Sequence, residues 1–251
     1  MMSTQQASYG FPVRMVVAGF ALWGLAGCQT SPPTSNAPTT EAPAPAPVPT
    51  QPLPAGAQEY AIVAEESLFQ ILVYRGGAMA RLGHNHVIAS HHLSGTVSLT
   101  DDPLQSRFDI SFPVNELGID EPAMRETAGP DFPPGVPQSA RDGTRKNMLS
   151  EALLDGAKYP AIRLRATDVA AAGEGFDVGV EITIKDQVHA VRVPVTLERK
   201  EGELVARGEF PLKQSELGFK PFSVAMGTLV VLDEMRIRFD VTARKKGSDP
   251  N

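Results

Sequence analysis

Cysteine and tryptophan each occur once in the 251 residues, and aromatic residues make up only 6%. A single cysteine excludes an internal disulfide framework, a C-x-x-C redox pair and every zinc site built on paired cysteines. No G-x-S-x-G elbow and no glycine-rich phosphate-binding loop is present, so the sequence marks of serine hydrolases and nucleotide binders are missing. Positive charge is short as well. The 23 Lys and Arg residues face 29 Asp and Glu, leaving a formal charge of −6 with no long basic run. That balance argues against a nucleic-acid partner and against electrostatic adhesion of the molecule as a whole to a membrane. Long hydrophobic runs are absent too; the longest, MVVAGFALWGLAG (15–27), is too short to span a bilayer comfortably.

That run follows Arg14, the sole charge of the first 27 residues, which is the layout of a secretory signal. It ends in Leu25, Ala26, Gly27 and Cys28, and L-A-G-C resembles the lipobox of bacterial lipoproteins, whose cysteine is acylated and becomes the mature N-terminus. The resemblance implies a signal peptide over 1–27, lipidation at Cys28 and a lipoprotein of the cell envelope that faces the periplasm and is anchored in a membrane by its N-terminal lipid. Gln29 after the cysteine, where Asp would retain a lipoprotein at the inner membrane, points to the outer one. Residues 28–57 hold almost no large apolar side chain and a proline every few positions. Such a stretch cannot bury enough surface to offset its ordering entropy, and a disordered, semi-rigid tether is predicted.

From 58 to 245 apolar residues recur at every second position. Phe108, Ile110, Phe112 and Val114 alternate with Asp109, Ser111 and Pro113; Ile162 and Leu164 alternate with Arg163 and Arg165. The same rhythm runs from Phe176 to Ile184, from Val191 to Leu197, from Leu204 to Leu212 and from Met235 to Val241. A period of two sustained over so many runs predicts antiparallel strands with one buried face. GEG (173–175) and EGE (201–203) supply turns, and Tyr60–Ala64, Phe69–Tyr74 and Leu93–Leu99 bring the count to eight or nine strands. The fold class is all-β, and strands of this length favour a closed barrel over a sandwich. Residues 246–251 read as a frayed tail.

The alternation stops between Asn115 and Pro160. GPDFPPGVP (129–137) is a loop, and Met148, Leu149, Ala152 and Leu153 fall at helical spacing before Gly156. A short helix after a long loop is predicted, placed as a lid over one end of the barrel.

The pieces in this order resemble the YceI-like family. The matching stretches are SLFQILVYRGG (67–77), LSGTVSL (93–99), NMLSEALLDGAKYPAIRLRA (147–166), DVGVEITIKDQVHAVRVPVTLE (177–198) and SELGFKPFSVAMGTLVVLDEMRIRFDVTA (215–243). The resemblance implies an extended, lipocalin-like antiparallel β-barrel of about eight strands. Its interior would hold an isoprenoid-type lipid, polyprenyl or quinone-like, as the only ligand, with no cofactor and no catalytic machinery. A homodimer is left open, and no protein partner is specified.

Alternation assigns the barrel lining to Phe69, Ile71, Val73, Phe108, Ile110, Phe112, Ile162, Leu164, Val178, Val180, Ile182, Val193, Val195, Phe210, Ile237 and Phe239. A slip of one residue would invert any of these strands, and phenylalanines could instead fill the barrel solid. The stretch RLGHNHVIASHH (81–92) carries four of the five histidines. It admits three readings: hydrogen bonding within a turn, contact of His84 and His86 with a polar head group, or a metal held by His84, His86 and His91 or His92. The metal reading makes the chain a periplasmic metal-binding protein, the alternative to lipid carriage. Ser90 and Ser94 lie near these histidines, but no carboxylate is placed by sequence to orient an imidazole toward them.

Overall fold

The computed structural model describes residues 56–247; the expected signal peptide, Cys28, nearly all of the tether and the last four residues lie outside the described residues. Among the described residues fourteen strands are formed: β1 (Gln58–Ile62), β2 (Leu68–Val73), β3 (Arg75–Gly76), β4 (His86–Ser90), β5 (Ser94–Leu99), β6 (Arg107–Pro113), β7 (Gly118–Ile119), β8 (Ala161–Ala172), β9 (Gly175–Ile184), β10 (Gln187–Lys200), β11 (Glu203–Lys213), β12 (Ser223–Val224), β13 (Leu229–Val231) and β14 (Glu234–Lys245). The hydrogen-bonded order β1-β5-β6-β8-β9-β10-β11-β14 closes on itself because β14 also pairs with β1. β1 and β2 lie end to end along β14, against 243–245 and 236–240 respectively, and β5 and β4 continue the same broken pairing. The result is the antiparallel eight-stranded barrel that the alternation predicts, its edges consumed by closure except along half of the β10–β11 seam.

Register explains why the wall has one dry face. Ile110 lies opposite Leu164, Leu164 opposite Ile182, and Val178 opposite Val193, so apolar rows meet apolar rows around the barrel. The outward rows meet as ion pairs: Arg163 with Asp109 at 3.0 Å, Arg165 with Glu181 at 2.7 Å, Arg207 with Asp240 at 2.8 Å. The β9–β10 hairpin turns on Lys185 and Asp186, both at positive φ, as a two-residue type I′ turn requires.

One seam of the wall is only half closed. β10 pairs with β11 from Thr196 to Lys200, and the ladder goes no further along either strand. Pro194 and Pro211 stand in the unzipped halves and have no N–H to offer it. Ala190, Val191 and Arg192 line one side of the resulting gap, and Phe210, Pro211 and Leu212 the other.

The segment between β6 and β8 corrects the expected lid. Its helices are α1 (Pro122–Ala128) and α2 (Gln138–Met148), so the helix lies before the predicted Met148–Leu153 spacing, which forms tight turns. α2 is a mostly polar surface helix without an apolar stripe, and periodicity could not reveal it. It is held by polar contacts: Arg145 donates to the carbonyls of Asn115 and Leu117 at 3.2 and 2.6 Å. α1 and the following loop cover the outside of the wall, where Leu72, Val87, Ala128 and Phe132 form a separate cluster. Val114, Leu117, Ile119, Met148 and Leu149 join the main core and close one barrel end.

Candidate ligand-binding site

The barrel encloses a cavity of about 200 Å³. Thirty-three residues line it, and among them only Ser106 and Arg107 carry polar side chains. Fifteen of the sixteen side chains assigned by alternation lie on this wall; Val73 packs against the same core but does not border the cavity. Leu93, Val97, Leu99, Val169, Phe176, Leu197 and Val241 also line it and were not among the sixteen. All but Val169 fall in the period-two rows, so the signal for them was present in the alternation itself; a β-bulge between Ala166 and Asp168 shifts Val169 out of phase with Ile162 and Leu164.

The phenylalanines leave the barrel hollow because they lean on the wall. Phe69 and Phe112 stack at 5.1 Å between ring centroids. Phe239 lies over Gly208, its cross-strand partner: a Cβ there would sit 2.4 Å from the ring and 2.3 Å from the Pro194 carbonyl oxygen. Glycine at 208 is therefore a packing requirement, the missing side chain being the space the ring occupies.

The two ends of the cavity differ. Toward Val114 and Leu117 the inward side chains Phe112, Ile162, Ile182, Ile184, Leu212 and Met235 are buried, with Leu217 closing over them. Toward the 3-10 turn Pro103–Gln105, Val97, Phe108, Val169, Phe176, Val195 and Leu197 are only half-buried; Ser106 and Arg107 border the cavity there, with the Ser106 hydroxyl accepting from the Thr100 N–H and the Arg107 guanidinium donating to the Ser106 carbonyl. This second end is the open one.

The histidines belong to the closed end. His86 begins β4 on the row of Ile88, and its ring nitrogens lie 2.5 Å from Asp120 Oδ2 and 3.2 Å from Thr144 Oγ1 of α2. Asp120 also accepts from the Val87 backbone N–H at 2.9 Å and from the Arg125 guanidinium, which in turn donates to the carbonyls of Asn85 and Pro133. Burial alone would raise the Asp120 carboxyl, but the bonds from His86, Val87 and Arg125 outweigh it and hold the group below the ordinary carboxylate value. His84 lies beside this knot, 6.1 Å from His86 between ring centroids; burial first, then the charges of His86, Arg75 and Arg125, keep it below the ordinary imidazole value.

Two expectations are thereby corrected. His84 and His86 do not border the cavity, so they are not placed to touch a head group inside it. The metal set does not assemble either: the length of β4, about 13 Å from His86 to Ser90, separates these two from His91 and His92, which pair with Glu121 and Glu116 at 3.0 and 3.4 Å. Among the described residues no group of three or more His, Cys, Asp or Glu is arranged to hold a metal ion. Bonding to a folded connection is what His86 does, and its partners Asp120 and Thr144 lie too far away in sequence for spacing to show them.

The YceI-like domain family matches residues 60–243. The chain belongs to the YceI-like family. Among solved structures it is similar to BcnA of Burkholderia cenocepacia, with a TM-score of 0.53 at 17% identity over 72% of this chain and 98% of that one. It is also similar to a YCEI protein of Campylobacter jejuni, with a TM-score of 0.43 at 12% identity over 61% and 81%. At 17% identity the likeness to BcnA speaks to fold alone. No curated protein matches in sequence. YceI-like barrels bind lipids of the polyisoprenoid kind and act in general as binding proteins. In this YceI-like chain the wall offers continuous apolar surface, with the Ser106 hydroxyl and the Arg107 guanidinium beside the open end rather than on the wall, a combination suited to an amphiphile whose long tail enters and whose small polar head stays at the rim.

Proposed function

We propose that this protein binds an isoprenoid-type lipid, polyprenyl or quinone-like, with its tail in the barrel and its head at the open end near Ser106 and Arg107. The observation that carries the reading is the cavity wall, whose surface is apolar throughout. Burying an apolar chain there gains roughly 25 cal/mol per Å² removed from water, with no buried polar group to leave unpaired. A cavity of about 200 Å³ is smaller than the roughly 300–1,000 Å³ of pockets for drug-sized ligands. A chain of polyprenyl length therefore displaces half-buried side chains such as Phe108 and Phe176 or leaves part of itself outside. Together with the lipobox-like L-A-G-C and the proline-rich 28–57, this makes the protein a carrier or store held to a membrane, periplasm-facing, by lipid on Cys28.

Native mass spectrometry of the chain purified from a bacterial host, before and after denaturation, tests the reading. Release of a long-chain isoprenoid supports it. A chain that carries no such lipid and fails to take up added polyprenol or quinone refutes it.

A further inference from the structure

Where β2 stops and β14 starts, a second small sheet stands off the barrel. β12 pairs with β13 and β13 with β3. Two chain segments, 75–84 and 218–232, are tied into one platform: Met79 N–H donates to the Thr228 carbonyl at 2.7 Å, and Leu232 N–H to the Tyr74 carbonyl at 2.7 Å. Among the described residues eight large hydrophobic side chains are exposed, and six of them belong to this tip. Met79, Leu82, Phe222, Val224 and Leu232 are 37–59% exposed, and Met226 is exposed completely. Met226 also holds a left-handed backbone at φ 54, a conformation that glycine or asparagine would adopt with less strain. A water-soluble turn has no use for a strained, wholly exposed methionine.

Charge singles out the same tip. The two segments contain Arg75, Arg81 and Lys220 and no Asp or Glu. Subtracting these three charges from the total of −6 leaves −9 for the rest of the chain. The whole-chain balance, which argued against attraction to membranes, thus hides a local surface of the opposite sign. The apolar side chains sit on turns and on or beside strands of two or three residues, and none of them lines the barrel cavity or the gap between β10 and β11. Scattered apolar knobs on segments whose charged side chains are all cationic are what an anionic bilayer surface receives; the flanking Asp233 and Glu216 are bonded back to Ser215 and to the Lys213 N–H.

We propose that this tip docks on an anionic phospholipid bilayer, Met226, Phe222 and Leu82 entering the interface while Arg81 and Lys220 meet headgroup phosphates. The docking surface is distinct from the cavity and stands without the identity of its cargo.

The test uses the full chain carrying Cys28→Ser, with an environment-sensitive fluorophore on Met226→Cys, on Leu82→Cys or, at the opposite barrel end, on the exposed Leu104→Cys. Each is titrated with vesicles of phosphatidylcholine alone and of phosphatidylcholine mixed with phosphatidylglycerol, both free of isoprenoid, so that the result is separate from cargo binding. The expected result is a blue-shifted, brighter emission at 226 and 82 on the anionic vesicles, quenched by nitroxide lipids, with position 104 silent. Arg81→Glu with Lys220→Glu should raise the half-saturating lipid concentration roughly tenfold or more. Silence at both 226 and 82, an equal response at 104, or an unchanged midpoint in the charge-reversed chain overturns the proposal.

Discussion

The barrel wall and the cap formed by 114–159 are built from opposite materials. The wall is regular and holds its shape by apolar side chains facing a cavity; the cap is irregular and is fastened by a buried ion pair, Asp120 with Arg125, to which His86 is hydrogen-bonded. In the wall, burial of each side chain is favourable by itself, and the ladder bonds are supplied by neighbours. In the cap, every buried charge depends on its partner, because an isolated ion in that environment would be costly. The comparison teaches that the wall tolerates exchange of one apolar group for another, while the cap tolerates little loss at all.

The sharpest way to break the wall is to give it the cap's chemistry. Phe112 is 2% exposed, and Phe112→Asp puts a carboxylate where no donor is within the apolar row. A loss of at least about 4 kcal/mol is expected, read as a fall in the urea midpoint, along with loss of lipid retention; Phe112→Leu should cost far less. Retention of both stability and lipid in the aspartate variant would show that Phe112 does not face the cavity.

The cap should break nearly as hard when one ion is removed. Asp120→Ala leaves Arg125 and the Val87 N–H without their acceptor, and a cost of roughly 3–5 kcal/mol is expected. Acid should do the same gradually. The Asp120 carboxyl titrates below its unfolded value, so its stabilisation is complete above the unfolded value and is lost as pH falls through the lower folded one. The cavity wall has nothing comparable to titrate. Hydrogen exchange along an acid series should therefore show residues 118–147 opening before β8 and β9; simultaneous opening would mean that cap and wall are one cooperative unit.

This contrast also explains what could be read from the chain. Phe108, Ile110 and Phe112 declare their facing through Asp109 and Ser111, because a strand alternates whatever it packs against. The hollow was less legible: it depends on Phe239 leaning over Gly208, a cross-strand relation between residues 31 apart in number. The cap was not legible, since Asp120 at positive φ, Arg125 inside a seven-residue helix and Thr144 on a polar helix each look like surface residues until the fold brings them to His86. Charge totals misled in the same way, averaging the cationic tip into an acidic whole.

A smaller effect tests how the hollow is maintained. Gly208→Ala places a methyl against the Phe239 ring and the Pro194 carbonyl. Overpacking of this kind costs about 1–3 kcal/mol, and the displaced ring should enter the cavity and weaken lipid uptake. Adding Phe239→Leu removes the ring's share of the clash and leaves that of the Pro194 carbonyl, so the double variant should recover part of the lost stability; two costs that merely add would place the strain in the backbone contact alone.

The smallest effect sets identical chemistry in the two regions side by side. Arg165–Glu181 on the outside of the wall and Arg125–Asp120 in the cap are both guanidinium–carboxylate pairs, but the first is about one-third exposed at 33% and 31% and the second is 3% and 0% exposed. Water screens the outer pair and hydrates whichever partner is left, so Arg165→Ala should cost about 0.2–1 kcal/mol and less still at high salt. Arg125→Ala strands Asp120 in a dry site and should cost several times more, with little dependence on salt. Urea midpoints for both variants at low and high ionic strength decide the matter: if the two costs were equal, burial would not be what separates the fastening of the cap from the decoration of the wall.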